Sequence, residues 1–356
     1  MSLFSCKSPE TLPIGFVATL TGTHSEIGLE ERNGAILAVE KINSLGGVQG
    51  QQVVLHVEDD QYEASHAQEA VQNLIDLDVK GVIGHMYSAM TLASYDMLQE
   101  AQIVSVSPSS STAKLNGIDD YFFRIPGSDE DGYDVLVDYA AQTLQLQRVV
   151  VIYDAKNKGF SEAMAQQVNK AFSGLGMEII DPIPYQSGAL ETLPSVIDRA
   201  LVWAPEGIVI IASDVDAAYM SQQIRKQNQD VVLMAGDWSR SMDLIAHGGK
   251  AVENLILFAK HSDESSSPVY QEFQNSYVQR FGSQPGFTAV LGYEATMLLL
   301  EGLKSSLENG ISLRDAMAQI RRFEGLQNTL ELNAYGDAHR PAHLIQVKNG
   351  GFERLE

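Results

Sequence analysis

Cysteine is nearly absent: Cys6 is the one thiol in 356 residues. A single cysteine forms no intramolecular disulfide and builds no cysteine-based metal site. Basic residues are scarce, with 24 Lys and Arg against 46 Asp and Glu and a formal net charge of −22. Nucleic-acid binding needs a basic footprint, so this balance argues against it. There is no run of about 18 apolar residues, so no segment reads as a membrane-spanning helix. The phosphate-binding patterns G-x-G-x-x-G and G-x-x-x-x-G-K-[ST] are missing, as is the G-x-S-x-G nucleophile elbow. His339 and His343 are four apart, but Pro341 between them spoils a helical metal pair and no third ligand lies near. Asp59 and Asp60 would point to opposite faces of a strand, which does not suit acid–base work. His85 follows a buried strand directly and reads as a satisfied structural histidine. Binding without turnover is the expectation, with no catalytic residue, no metal and no cofactor.

What is present is a regular alternation of strand and helix signals. With 44% hydrophobic and 20% charged residues the composition is that of a globular protein, and the length suits about two domains. Ile14 to Thr19 reads as a strand, followed by a helix from about Gly28 that Gly46-Gly47 stops. Strands at Val53 to Glu58, Gly81 to Gly84, Ile103 to Ser107 and Tyr121 to Ile125 continue the series. Pro126-Gly127 interrupts it. A second series has strands at Arg148 to Tyr153, Met177 to Pro182, Ile208 to Ala212, Val231 to Gly236 and Leu255 to Ala259. Helices are expected at Tyr270 to Phe281, Tyr293 to Leu307 and Ser312 to Arg322, and a last strand at His343 to Val347. Such alternation implies βαβ units and mostly parallel sheets.

The stretch Gly81 to Thr112 concentrates polar chemistry at a predicted sheet edge. It places a helix opened by Ser88 beside a loop rich in hydroxyls: Ser107, Ser109, Ser110, Ser111 and Thr112. Ligands of open α/β sheets sit outside the carboxyl ends of the strands. Unpaired N–H groups and the positive end of a helix dipole favour an anion there. The pattern points to half of a site for a small carboxylate.

A longer set of motifs carries a resemblance. Leu20-Thr21-Gly22, Asn33-Gly34-Ala35, the run from Glu40 to Gly50 and Glu58-Asp59-Asp60 come first. Val82-Ile83-Gly84-His85 with Ser88, Val106-Ser107-Pro108 and Tyr121-Phe122-Phe123-Arg124 follow in order. Together they resemble the type I periplasmic binding proteins of the leucine/isoleucine/valine-binding class, which serve ABC importers of branched-chain amino acids. The resemblance implies an α/β fold of two doubly wound parallel-sheet lobes joined by a three-crossing hinge. Lobe 1 would comprise residues 11–126 and 260–335, lobe 2 residues 127–259 and 336–356. Residues 1–10 would form a flexible N-terminus. Met1-Ser2-Leu3 looks like a cloning remnant. Leu3-Phe4-Ser5-Cys6 resembles the end of a lipoprotein signal, so Cys6 is either a point of lipid attachment or an ordinary thiol. The implied location is periplasmic or otherwise extracytoplasmic.

The same resemblance assigns site residues. Ser88 and Ser111 would hold the carboxylate of an amino acid or similar small ligand, and Ser109 would meet the ammonium through its backbone carbonyl. Asp237 would pair with the ammonium, with Asp214 as a further contact. Ser88 as a plain N-cap and Asp237 as an Asx-turn are the bland alternatives. Three positions depart from the leucine-binding pattern. Ile27 replaces an aromatic at the mouth of the first helix. Lys158 replaces a tyrosine before Gly159, where it either selects a second polar group or sits solvated on the rim. Tyr62 and Tyr87 occupy positions that form a disulfide in some relatives, so their rings should lie together, with Tyr87 in the pocket wall. The implied partners are the small-molecule ligand and a membrane permease, and the protein is expected to be a monomer. The sensory domain of a membrane receptor, which shares the fold, is the alternative.

Overall fold

The computed structural model describes residues 11–22, 24–127, 130–261 and 265–355. The start of the chain, including Cys6, lies outside them. Two compact units emerge from the contacts: residues 1–111, 115–127 and 263–339 form the first, and 112–114, 128–262 and 340–356 the second.

In chain order, the first unit contributes β1 (Thr11–Ala18), α1 (Ser25–Ser44), β2 (Gln52–Asp59), α2 (Ala64–Asp76), β3 (Val82–Gly84), α3 (Ser88–Glu100), β4 (Ser105–Ser107) and β5 (Phe122–Arg124). The second unit follows with α4 (Glu130–Asp138), β6 (Arg148–Asp154), α5 (Lys158–Gly174), β7 (Glu178–Ile179), β8 (Ile183–Tyr185), α6 (Leu193–Leu201), β9 (Gly207–Ile211), α7 (Asp214–Gln227), β10 (Val232–Ala235), α8 (Met242–Gly248) and β11 (Ile256–Ala259). The chain then supplies the first unit with α9 (Pro268–Phe281), α10 (Phe287–Asn309), α11 (Leu313–Gln319), β12 (Arg322–Glu324), β13 (Thr329–Leu332) and β14 (Ala338–His339). It ends in the second with β15 (His343–Lys348) and β16 (Gly351–Arg354).

The first unit's main sheet has the order β2-β1-β3-β4-β5 and is parallel throughout. Ile14, Phe16 and Val17 of β1 are fully buried at its centre. Each such side chain stabilises the fold by about 1.5–3 kcal/mol. Helices α1 and α10 lie close together because glycines face the contact. A methyl group on Gly34 would fall 2.0 Å from the Ala289 carbonyl oxygen, and one on Gly292 would fall 2.1 Å from that of Glu31. Helix ends follow local chemistry: Ser312 caps α11 by accepting from the Asp315 amide, and Gly310 ends α10 in the left-handed region.

In the second unit the strand order is β16-β15-β11-β10-β9-β6-β7, with β8 also on β6 and with β15 and β16 antiparallel. Alternate residues of β9 enter separate cores. Ile208 and Ile210 pack with α7 residues Ala217, Met220 and Ile224. Val209 and Ile211 pack with α5 residues Met164, Val168 and Phe172. This sheet is therefore covered on both faces, and its central strands read as unbroken apolar runs.

Several expected elements change in detail. The strand expected at Met177 to Pro182 is two short strands, β7 and β8, which pair separate parts of β6. Pro182 has no N–H to give a ladder, and the break falls at it. The helix expected to reach Arg322 stops at Gln319, and Arg322–Glu324 instead joins the antiparallel sheet β12-β13-β14, which the sequence pattern did not reveal.

Candidate functional site

In both units the candidate polar groups stand at the carboxyl ends of parallel strands, where open α/β sheets place ligands. In the first unit Ser88 follows β3, and Ser109 and Ser111 follow β4. Pairing of Ile83 with Val106 sets the turn 85–88 beside the loop 108–111. Side-chain bonds from Ser107 and from the loop reach the turn. Ser107 Oγ donates to the His85 carbonyl at 2.7 Å, Ser109 Oγ to the Met86 carbonyl at 3.0 Å, and Ser110 Oγ to Ser88 Oγ at 3.2 Å.

Ser88 is the first helical residue of α3; Tyr87, not Ser88, holds the N-cap position, and no side chain caps the helix. The plain N-cap reading of Ser88 is thereby corrected. Its hydroxyl oxygen accepts from Ser110, which leaves its own O–H to donate at the positive end of α3. Ser88 and Ser111 are buried, at 3% and 6% exposure, and Ser109 is partly buried.

The Tyr62 and Tyr87 rings pack with centroids 4.4 Å apart, as expected for a position that elsewhere carries a disulfide. His24, which sequence reasoning passed over, joins them at 5.0 Å from Tyr62 and 6.4 Å from Tyr87. Ile27, on α1, is half-buried.

Behind the turn lies a buried polar network. Thr19 Oγ donates to Asp60 Oδ1 at 2.6 Å, and Asp60 Oδ2 is 2.8 Å from His85 Nδ1. His85 Nε2 lies 2.9 Å from Ser94 Oγ. Burial acts to raise the Asp60 carboxyl, but the bond and charge of His85, with Thr19 and the Tyr62 amide, outweigh it and hold the group below its ordinary range. An ionised carboxylate only accepts, so His85 Nδ1 carries the proton between them. The order Ser94–His85–Asp60 is that of an activated nucleophile, yet all three are at most 1% exposed. No substrate reaches Ser94. The network is a lock on the turn that carries Ser88, and His85 is the structural histidine the sequence suggested.

A second ionic lock holds β5 at the sheet edge. Arg124 Nε donates to Asp337 Oδ1 at 2.8 Å, a second guanidinium nitrogen donates to Asn116, and the side chain is 1% exposed. Arg124 closes the Tyr121-Phe122-Phe123-Arg124 motif, but nothing local announced a partner 213 residues away.

In the second unit Asp237 follows β10 in a single 3₁₀ turn and is 7% exposed. Its Oδ2 accepts from the Lys260 amide at 3.4 Å, and its Oδ1 lies 3.8 Å from Arg240 Nη1. Asp214, the first residue of α7, has both oxygens engaged, by the Val215 amide at 2.8 Å and by the Ser241 hydroxyl. Lys158 is the exposed first residue of α5. A basic cluster missed in the sequence gathers around His261, and Arg240 brings it to Asp237. Arg240, Lys260, His261 and Arg340 are each at most 5% exposed. Burial, then the cations Arg340, Arg240 and Lys260, lower His261 well below its ordinary value, so its imidazole is neutral at pH 7. The acid-poor local sequence around 258–261 and 340–343 was the available signal.

The cavities described within each unit lie elsewhere. A groove of about 720 Å³ in the second is lined by Asn169, Lys170 and Asp181. One of about 250 Å³ in the first is lined by Lys41, Phe273 and Tyr293.

The arrangement of strands, helices and strand-end polar groups is that of a type I periplasmic binding protein. The leucine-binding protein LivK from Thermotoga maritima superposes with a TM-score of 0.88 at 25% identity, covering 97% of this chain and 98% of that one. The substrate-binding protein LivJ from Streptococcus pneumoniae, solved with isoleucine, gives 0.87 at 22% identity over 98% and 99% of the two chains. The sequence profile described as periplasmic binding protein matches residues 11–351, and the chain belongs to that family, a class of solute-binding proteins. Among curated relatives, Leu/Ile/Val-binding protein homolog 3 of Brucella melitensis is 23% identical over 345 residues, covering 95% of this chain and 92% of the relative.

Proposed function

We propose that this protein is an extracytoplasmic solute-binding protein that captures an amino acid or similar small carboxylate and delivers it to the permease of an ABC importer. The reading is supported by a polar set at strand ends within each unit. In the first unit Ser88, Ser109 and Ser111 stand at strand ends with an α3 N-terminus behind them. In the second, the buried Asp237 carboxylate stands at the end of β10. The first set suits a carboxylate and the second an ammonium, the two charges every amino acid carries. Tyr87 and Ile27 would meet the ligand's side chain, and Lys158 would remain at the solvated rim. The isoleucine complex of the pneumococcal relative and the names of the Leu/Ile/Val-binding relatives support a branched-chain ligand. No observation favours the receptor alternative.

The basic cluster of Arg240, Lys260 and Arg340 favours a second reading of specificity, in which the ligand carries an additional anionic group. A thermal-shift screen over the amino acids, succinate and other small carboxylates decides between the two. A ligand at a hundred times its dissociation constant stabilises the folded state by about 2.7 kcal/mol, a readily measured shift. Asp237→Ala is expected to abolish the shift for amino acids while the unliganded melting curve persists. A variant that responds as strongly as the wild type removes Asp237 from the ammonium role.

A further inference from the structure

The dipeptide Asn-Gly occurs four times, at Asn33-Gly34, Asn116-Gly117, Asn309-Gly310 and Asn349-Gly350. It is prone to lose the asparagine side-chain amide, because glycine has no Cβ to crowd its own backbone nitrogen. That nitrogen loses its proton and bonds to the asparagine Cγ, closing a five-membered imide. The Cγ–Nδ2 bond breaks and ammonia leaves. Water then opens the ring at one carbonyl or the other, giving aspartate or isoaspartate. The reaction needs a glycine N–H not committed to an acceptor, an asparagine side chain free to turn, and a backbone able to bring them together.

At three of the four pairs the fold withholds these conditions. Gly34 is buried inside α1, where its N–H serves the helix ladder, and Asn33 Nδ2 donates to Tyr277 Oη at 3.3 Å. Gly117 is exposed, but its N–H donates to Asp337 Oδ2 at 3.1 Å, and Asn116 Oδ1 accepts from Arg124. Asn309 ends α10, with Nδ2 donating to the Ser305 carbonyl at 2.9 Å, and the Gly310 N–H donates to the Ser306 carbonyl at 2.9 Å.

Asn349 and Gly350 are the two-residue turn between β15 and β16, closed by the pair Lys348 and Gly351. Positive φ at both, 53° and 77°, is that of a type I′ turn. Both residues are exposed, and a Cβ added to Gly350 would meet nothing within 4 Å beyond its chain neighbours. Among the described residues, neither the Asn349 side chain nor the Gly350 N–H has a hydrogen-bond partner. We infer that Asn349 is the site at which the folded protein loses an asparagine amide, with water as the only co-reactant. Each event adds a negative charge to a turn whose Asn349 backbone N–H donates to Glu253 Oε1 at 3.2 Å.

The test holds the full chain at pH 8.5, folded and, in parallel, unfolded in urea. Peptide mass spectrometry follows the change from amide to acid at each of the four asparagines, and enzymatic methylation of isoaspartate reports the imide route. In the folded chain Asn349 should react at least about tenfold faster than each of the other three, which reach the imide only through local opening. In urea the four rates should come within about threefold of one another, because the tertiary constraints are gone. Asn349→Ser should remove the fast reaction and leave the other three rates unchanged. The inference is overturned if Asn33, Asn116 or Asn309 reacts as fast as Asn349 in the folded chain, or if urea accelerates Asn349 as much as it accelerates them.

Discussion

Replacing Glu31 by glutamine should stabilise the first unit at pH 8. The carboxyl has an ordinary value of 4.5 and is raised to about 8 in the fold. Between those values the folded state holds one proton more than the unfolded chain. Stability therefore falls as pH rises through the window, by at most about 1.4 kcal/mol per unit. Over about 3.5 units the loss is bounded near 5 kcal/mol, and water reaching the ionised group reduces it to about 2–4 kcal/mol. Glutamine does not ionise, although its buried amide needs partners and costs about 1 kcal/mol. The variant should equal or slightly trail the wild type at pH 5 and exceed it by about 1–3 kcal/mol at pH 8. Asp216, raised to about 6 by burial in the second unit, acts in the same direction, and Asp60 in the opposite one. Both are present in each protein, so the difference isolates Glu31. Urea unfolding at pH 5, 6.5 and 8 is the assay. Trp203 and Trp238, the two tryptophans, both lie in the second unit, so their emission serves as an internal control. Circular dichroism and hydrogen exchange in β1 and β3 report the first. Parallel stability curves for the two proteins would refute the burial argument.

Two further substitutions test how the first unit is held together. Asp337→Ala leaves the 1%-exposed Arg124 without its carboxylate and should cost about 3–5 kcal/mol in urea unfolding; a loss under about 1 kcal/mol would mean that Asn116 suffices. Gly34→Ala drives a methyl to within 2.0 Å of the Ala289 carbonyl oxygen and should lower stability by about 1–3 kcal/mol, whereas an unchanged melting temperature would show that α1 and α10 can part without penalty.

The alternation of β-branched runs with amphipathic stretches determined the α/β class and the place of most strands and helices, because side-chain periodicity and turn residues act over a few neighbours. It also determined that Ser88, Ser109 and Asp237 stand at strand ends, since each follows an apolar run. Only the tertiary structure decided the rest. Thr19 meets Asp60 across 41 residues, and Arg124 meets Asp337 across 213, contacts that no local pattern encodes. The β12-β13-β14 sheet escaped notice because strands this short carry too few alternations to register a period. The charge of Glu31 was equally hidden. A glutamate in a helical sequence reads as a solvated face, and only burial against the Ser109 loop, with its low polarizability and missing partners, makes it a neutral acid.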